Sequence, residues 1–149
     1  MSVDYIVSSL PSLVFGAPAP LSWEVFVSRG GDVPPPQAKV WQDLETQLRN
    51  AIAEARGGER FKRPADGCSL YWKNRILACF QEKDVAKREE LLDRTWWDAA
   101  GELTPPSEPL GPGALATYAI RLKIALKRTR ISKDTGDAAF DRLTAETKR

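Results

Sequence analysis

Two cysteines, Cys68 and Cys79, eleven residues apart, and no histidine anywhere are the first facts that bear on chemistry. Tetrahedral zinc sites draw on closely spaced Cys and His groups, and acid–base catalysis near neutral pH draws on imidazole, so neither has its parts. On one helix the two sulfurs would be three turns apart, about 16 Å by helical rise, beyond the reach of a disulfide. Free thiols fit a reducing, cytoplasmic setting. Acidic pairs within one turn do occur, Glu89 with Asp93 and Asp137 with Asp141, as does the mixed pair Glu90 with Arg94. At this spacing they read as a solvated helix face, not as a proton-transfer pair. The chain carries no GxSxG elbow, phosphate loop or dinucleotide fingerprint. No enzymatic activity is expected, and no cofactor or metal.

The more informative pattern is the sign of the charge along the chain. Residues 109–133 hold six basic side chains and no acid, whereas residues 82–102 hold seven acids against four bases. Arg121, Lys123, Lys127, Arg128 and Arg130 are therefore candidate binding residues. With five tryptophans in the chain, they could form a nucleic-acid surface in which cations meet phosphates and indoles stack on bases. Their spacing favours another reading. Residues 121 and 128 make one stripe and residues 123, 127 and 130 a second, as on a helix whose basic stems cover the shoulders of a core-facing stripe.

No nucleic acid is expected as a partner; another protein is. Trp96 and Trp97 are adjacent, about 100° apart on a helix, so they cannot both enter one core. One ring is core and the other lies at a helix flank or on a contact surface, where tryptophan is enriched. Tyr71 and Trp72 pose the same choice. A basic helix beside a displaced indole is a docking face for an acidic partner.

These residues need elements to hold them. A chain of 149 residues with 42% hydrophobic and 28% charged residues fits one soluble domain, and a net charge of +2 is too small to select a partner by itself. Residues 3–15, rich in β-branched and aromatic side chains, read as a short extended strand broken at Pro11. Ser22 caps a two-turn helix over residues 23–29, and the Pro34-Pro35-Pro36 run launches a helix over residues 37–56 with Val40, Trp41, Leu44, Leu48 and Ala51 inward. Gly57 stops it. A polar loop over residues 58–67 precedes a helix over residues 69–81 with Leu70, Ile76, Leu77 and Phe80 inward.

Asp84 caps a helix that ends at Gly101, with Val85, Leu91, Leu92, Thr95, Trp96 and Ala99 on its inner face. A Pro-rich loop at residues 102–112, the least structured stretch, leads into a long helix from Gly113. Leu115, Tyr118, Ala119, Leu122, Ile124 and Leu126 face inward there, with a kink or cap at residues 132–136 before Ala138, Phe140 and Leu143. The expected fold is all-α: a single helical domain, a bundle of about five helices with a short extended N-terminal segment. The opening MSVDYIVSSL lacks a basic region, so no secretory signal is expected. No apolar run reaches roughly 18 residues, so no bilayer span is expected.

Several phrases in the chain carry a resemblance. An Arg-Glu helix with an aromatic pair (Arg88, Glu89, Leu92, Asp93, Trp96) precedes a Tyr-Ala-x-x-Leu-Lys helix (Tyr118, Ala119, Leu122, Lys123). A tail with Asp134, Gly136, Phe140 and Leu143 follows, and the opening supplies Tyr5, Ile6, Val7, Leu10, Pro11 and Leu13. This wording resembles a bacterial family of unknown function associated with V/A-type ATPases. The C-terminal half is also similar to the helical d-type subunit of V-type ATPases, which couples the central stalk to the membrane ring. The chain is much shorter than that d-type protein, and the step from Asp134 to Gly136 is one residue shorter than the family pattern. The resemblance implies a non-catalytic helical component of an ion-translocating rotary ATPase. Its partners would be other subunits of that machine. It would be cytoplasmic and peripheral at the inner face of the plasma membrane through those partners, docking by residues 118–130 and by the edge at Trp96 and Trp97.

Overall fold

The computed structural model describes the backbone of residues 2–147 and the side chains of residues 2–131. Among these residues there is no strand. The chain is all-α, with helices α1 (Val3–Ser9), α2 (Trp23–Ser28), α3 (Pro35–Ala55), α4 (Leu70–Cys79), α5 (Val85–Ala100) and α6 (Pro112–Thr147), and single 3-10 turns at Glu59–Phe61 and Gly101–Leu103.

The extra helix is α1, where a strand was expected. Val3, Ile6, Val7 and Leu10 recur at three- and four-residue spacing and pack together in one cluster with α6. A solitary strand would leave its N–H and C=O groups unpaired, whereas the helix closes them internally, beginning with Ile6 N–H to Ser2 O at 3.1 Å. The chain becomes extended at Leu10. Further on, the expected start signals hold. Ser22 accepts from Val25 N–H, Ser69 from Trp72 N–H and Asp84 from Lys87 N–H, each satisfying an orphan donor of a first turn. The proline run opens α3.

Two apolar clusters divide the molecule. Leu44, Leu48 and Ala51 of α3 pack with Trp72, Ile76 and Cys79 of α4 and with Leu92 and Ala99 of α5. Ile6 and Phe26 pack with Leu115, Ala119 and Leu122 of α6. A third, smaller cluster of Ala100, Leu103, Ala116 and Ile120 joins them.

The join is close. A Cβ built on Gly113 would lie 1.9 Å from the carbonyl oxygen of Leu103. One turn on, the buried Thr117 hydroxyl donates to Ala100 O at 2.8 Å and lies 2.7 Å from the Thr104 hydroxyl. The Pro-rich stretch is accordingly less loose than expected: Leu103 is buried, and Glu108 and Gly111 close successive turns on Pro105 and Glu108. The long helix shows no break at residues 132–136. The expected inward positions Ala138, Phe140 and Leu143 lie outside the described side chains.

Several inward expectations are corrected by the direction of the packed faces. On α4, Trp72, Ile76 and Cys79 share one face by i,i+4,i+7 spacing, which places Leu70 and Tyr71 in solvent. Val40 on α3, and Val85 and Leu91 on α5, are likewise exposed. Cys68 lies ahead of α4 in solvent while Cys79 is buried on it, and both are free thiols.

The polar loop is a strap tied down by one stripe of α3. Asp43 accepts from Asp66 N–H at 2.6 Å and from Gly67 N–H at 3.1 Å, and Gln47 accepts from Ser69 N–H at 2.9 Å. Asn50 accepts from Arg63 N–H at 2.8 Å and donates to Arg63 O at 2.7 Å, and Glu54 meets Lys62 at 3.0 Å. Positions 43, 47, 50 and 54 fall on one helical face, so α3 presents a column of acceptors where a second strand would otherwise be needed.

Two expectations follow from this packing. Gly113→Ala presses a methyl group into the Leu103 carbonyl and should lower stability by about 1–3 kcal/mol in denaturant unfolding, and an unchanged midpoint would refute the close approach. The hydrogen bond from Gln47, with those from the Asp66 and Gly67 amides, holds the Asp43 carboxyl below the usual carboxylate range against the opposing effect of desolvation. A depressed folded value means that this contribution is complete above the unfolded value, about 3.9, and is lost as pH falls through the lower folded one. Amide exchange at Asp66 and Gly67 should therefore stay protected from pH 7 down to about 4 in the native chain, and lose protection throughout that range in Asp43→Ala.

Candidate partner-docking surface

Three of the candidate residues, Trp97, Arg121 and Arg128, meet where α6 lies along α5 and the N-terminal segment. Trp97 is buried, its ring edge-on to Phe15 with centroids 5.5 Å apart. Trp96 is half-buried and packs on the α3–α4–α5 cluster. One ring thus fills the seam and the other a helix flank, and neither stands free as a contact edge. The pair separates because Phe15, arriving from the extended segment, covers the Trp97 side of α5.

Two of the five cations belong to this seam. The half-buried Arg121 donates through Nε to Trp97 O at 2.9 Å, and its guanidinium carbon sits 5.4 Å from the Trp97 ring. Burial, and secondarily the neighbouring Arg94, lower its pKa from the ordinary arginine value, while Asp98 opposes the shift. Arg128 donates to Asp93 at 3.1 Å, lies 3.7 Å from Glu90, and covers the Phe15 ring at 4.6 Å. Arg94 covers the same ring at 5.1 Å and pairs with Asp98. Phe15 is therefore held by two guanidinium groups and one indole, an arrangement in which the cations act as packing material as much as charge. The acid pair Glu89 and Asp93 separates in the same way: Asp93 serves α6, and Arg94 pairs with Asp98 instead of Glu90.

The other three cations form a distinct face. Lys123, Lys127 and Arg130 surround Trp23 of α2 and Leu126, enclosing an open depression of about 560 Å³. The Lys123 ammonium lies 4.8 Å from the Trp23 ring centroid. Trp23 packs on Phe26, and Phe26 stacks on Tyr118, whose hydroxyl donates to Pro11 O at 2.7 Å. Burial pushes the Tyr118 pKa up to about 12, so it remains a neutral donor, with Arg29 pulling weakly the other way. Lys127 meets Asp93 at 3.2 Å, so one member of this stripe is paired within the chain. Among the described residues no carboxylate lies within ion-pair distance of Lys123 or Arg130. Positions 123, 126, 127 and 130 follow i,i+3,i+4,i+7 spacing and make one outward ridge of α6.

Trp23 and Leu126 are the members of this face that local reading missed. Trp23 registers as part of a short capped helix, and nothing local couples α2 to α6; shared burial around Phe26 does. Among the described residues no group of three or more His, Cys, Asp or Glu side chains is placed to hold a metal. No helix among them is long and apolar enough to cross a membrane. Comparison with family models, with curated proteins and with solved structures finds no match to this chain.

The division into seam and outward cations has a measurable consequence. Arg128→Met should lower stability by about 1–2 kcal/mol, through the loss of a charge-assisted, partly buried contact. Lys123→Met should change it by less than about 0.5 kcal/mol. Equal effects in urea titration would refute the division.

Proposed function

We propose that the chain is a non-catalytic helical docking protein, an accessory component of a bacterial V/A-type rotary ATPase that packs between stalk and membrane ring on the cytoplasmic side. The observation that carries the docking reading is the outward face of Trp23, Lys123, Leu126, Lys127 and Arg130. It combines an aromatic ring, an aliphatic side chain and cations not wholly neutralised among the described residues, the chemistry that meets an acidic protein surface with an apolar centre. The choice of partner is supported by the wording of residues 88–96, 118–123 and 5–13, which resembles the ATPase-associated family.

The absence of histidine removes the commonest proton-transfer group, consistent with action by packing. A free-standing adaptor would use the same face with an unrelated protein, and the identity of the captured partner separates the two. The test is affinity purification of the tagged chain from its native cells, with partners identified by mass spectrometry. Rotary ATPase subunits should be recovered with the native chain. Lys123→Glu with Arg130→Glu should reduce that recovery at least about tenfold without altering the thermal midpoint, because both positions are surface-exposed. Undiminished recovery would remove this face as the docking site, and recovery of unrelated proteins alone would overturn the ATPase assignment.

A further inference from the structure

Phe61 is one of several large apolar residues left at the surface. Its side chain is 66% exposed, although phenylalanine is among the residues most often buried. The backbone that carries it is pinned from both sides. Gly57, at φ +71°, ends α3 in the left-handed conformation, its N–H donating to Glu54 O at 3.0 Å while Gly58 N–H donates to Ala53 O at 2.7 Å. Beyond the turn, Asn50 holds both the N–H and the C=O of Arg63. The ring is thus presented in place, with its ordering cost met by contacts elsewhere.

Beside it, an open groove of about 650 Å³ runs between the turn and α3, lined by Arg49, Ile52 and Arg56 on one side and Phe61 and Arg63 on the other. Its wall reaches from Gln42 to Arg56, about 21 Å of helix. Arg49 pairs with Glu45 and Lys62 with Glu54. Among the described residues Arg56, Arg60 and Arg63 have no carboxylate within ion-pair distance, against one remaining acid on the turn, Glu59. Arg60 lies 4.8 Å from the Phe61 centroid and Arg56 5.6 Å from that of Phe80.

We propose that this groove is a second docking surface, which takes an acidic helical segment of a protein partner with Phe61 as the aromatic anchor. Guanidinium groups on both walls match carboxylates bidentately, and the half-buried Ile52 offers an apolar floor. A lipid surface would reach the protruding ring but not the floor of a concave groove. The groove lies on α3, in the α3–α4–α5 half, whereas the Trp23 face lies on α2 and α6. A chain with both surfaces can hold two partners at once.

The test is titration of the ¹⁵N-labelled full chain with a synthetic amphipathic peptide of about 14 residues, matching the groove length, with glutamates on one face and leucines on the other. Gly57, Gly58, Phe61 and Arg63 amides should shift in a saturable way. Phe61→Ser, and separately Arg56→Glu with Arg63→Glu, should each weaken this response at least about tenfold. Because amides near Lys123 and Arg130 are read in the same spectra, failure at the groove is distinguishable from failure at the Trp23 face. Absence of shifts at millimolar peptide, indifference to both variants, or a response to phosphatidylserine vesicles but not to the peptide would each overturn the proposal.

Discussion

The carbonyl oxygen of Leu103 lies where a side chain on Gly113 would have to be, and the rest of the structure is built around that contact. With Gly113 bare and Ala116 small, the first turns of α6 sit directly on the end of α5, and the buried Thr117 hydroxyl donates to the Ala100 carbonyl across the join. From that fixed point α6 serves both halves of the molecule. Ala116 and Ile120 face the joining cluster, while Leu115, Ala119 and Leu122 face α1 and α2. The α3–α4–α5 cluster holds no residue of α6, so the long helix ties the two halves through the joining cluster of Ala100, Leu103, Ala116 and Ile120.

The same geometry sorts the basic residues of α6 into two kinds. Those facing α5, Arg121 and Arg128, reach its carbonyls and carboxylates and close over Phe15 and Trp97. Arg128 is paired with Asp93, Arg121 donates to a carbonyl, and the stems of both extend the apolar seam. Those facing away, Lys123 and Arg130, keep their charge at the surface, with Trp23 beside them. Lys127 stands between, sharing Asp93 with Arg128. A run of positive charge that looks uniform along the sequence is thus half structural and half outward, and the outward half supports a docking role.

The strap over α3 shows a parallel economy. A stretch rich in Gly, Pro and charge has little to bury, and it is ordered instead by four polar side chains placed on one face of a helix. Because the bonds from Asp43, Gln47 and Asn50 end at backbone N–H and C=O groups, with only Glu54 reaching a side chain, that of Lys62, they fix the path of the strap and leave most of its side chains outward. Phe61 and the arginines around it are exposed for that reason.

Much of the architecture is legible from local chemistry. Helix starts at Ser22, Ser69 and Asp84, the proline launch of α3 and its glycine stop depend on neighbours within one turn, and they appear where local rules place them. So does the all-α class, which rests on 3.6-residue periodicity. What local chemistry does not contain is which neighbour arrives from elsewhere. Whether Val3, Ile6 and Val7 form a strand or a helix turns on the absence of any strand to pair with. Which of Trp96 and Trp97 is buried turns on Phe15, and whether Arg128 is a docking cation or a structural one turns on Asp93 across the seam. Periodicity says which residues share a face; only the packed chain decides what that face meets, because the energy of burying a ring or a charge belongs to the pair and not to the residue.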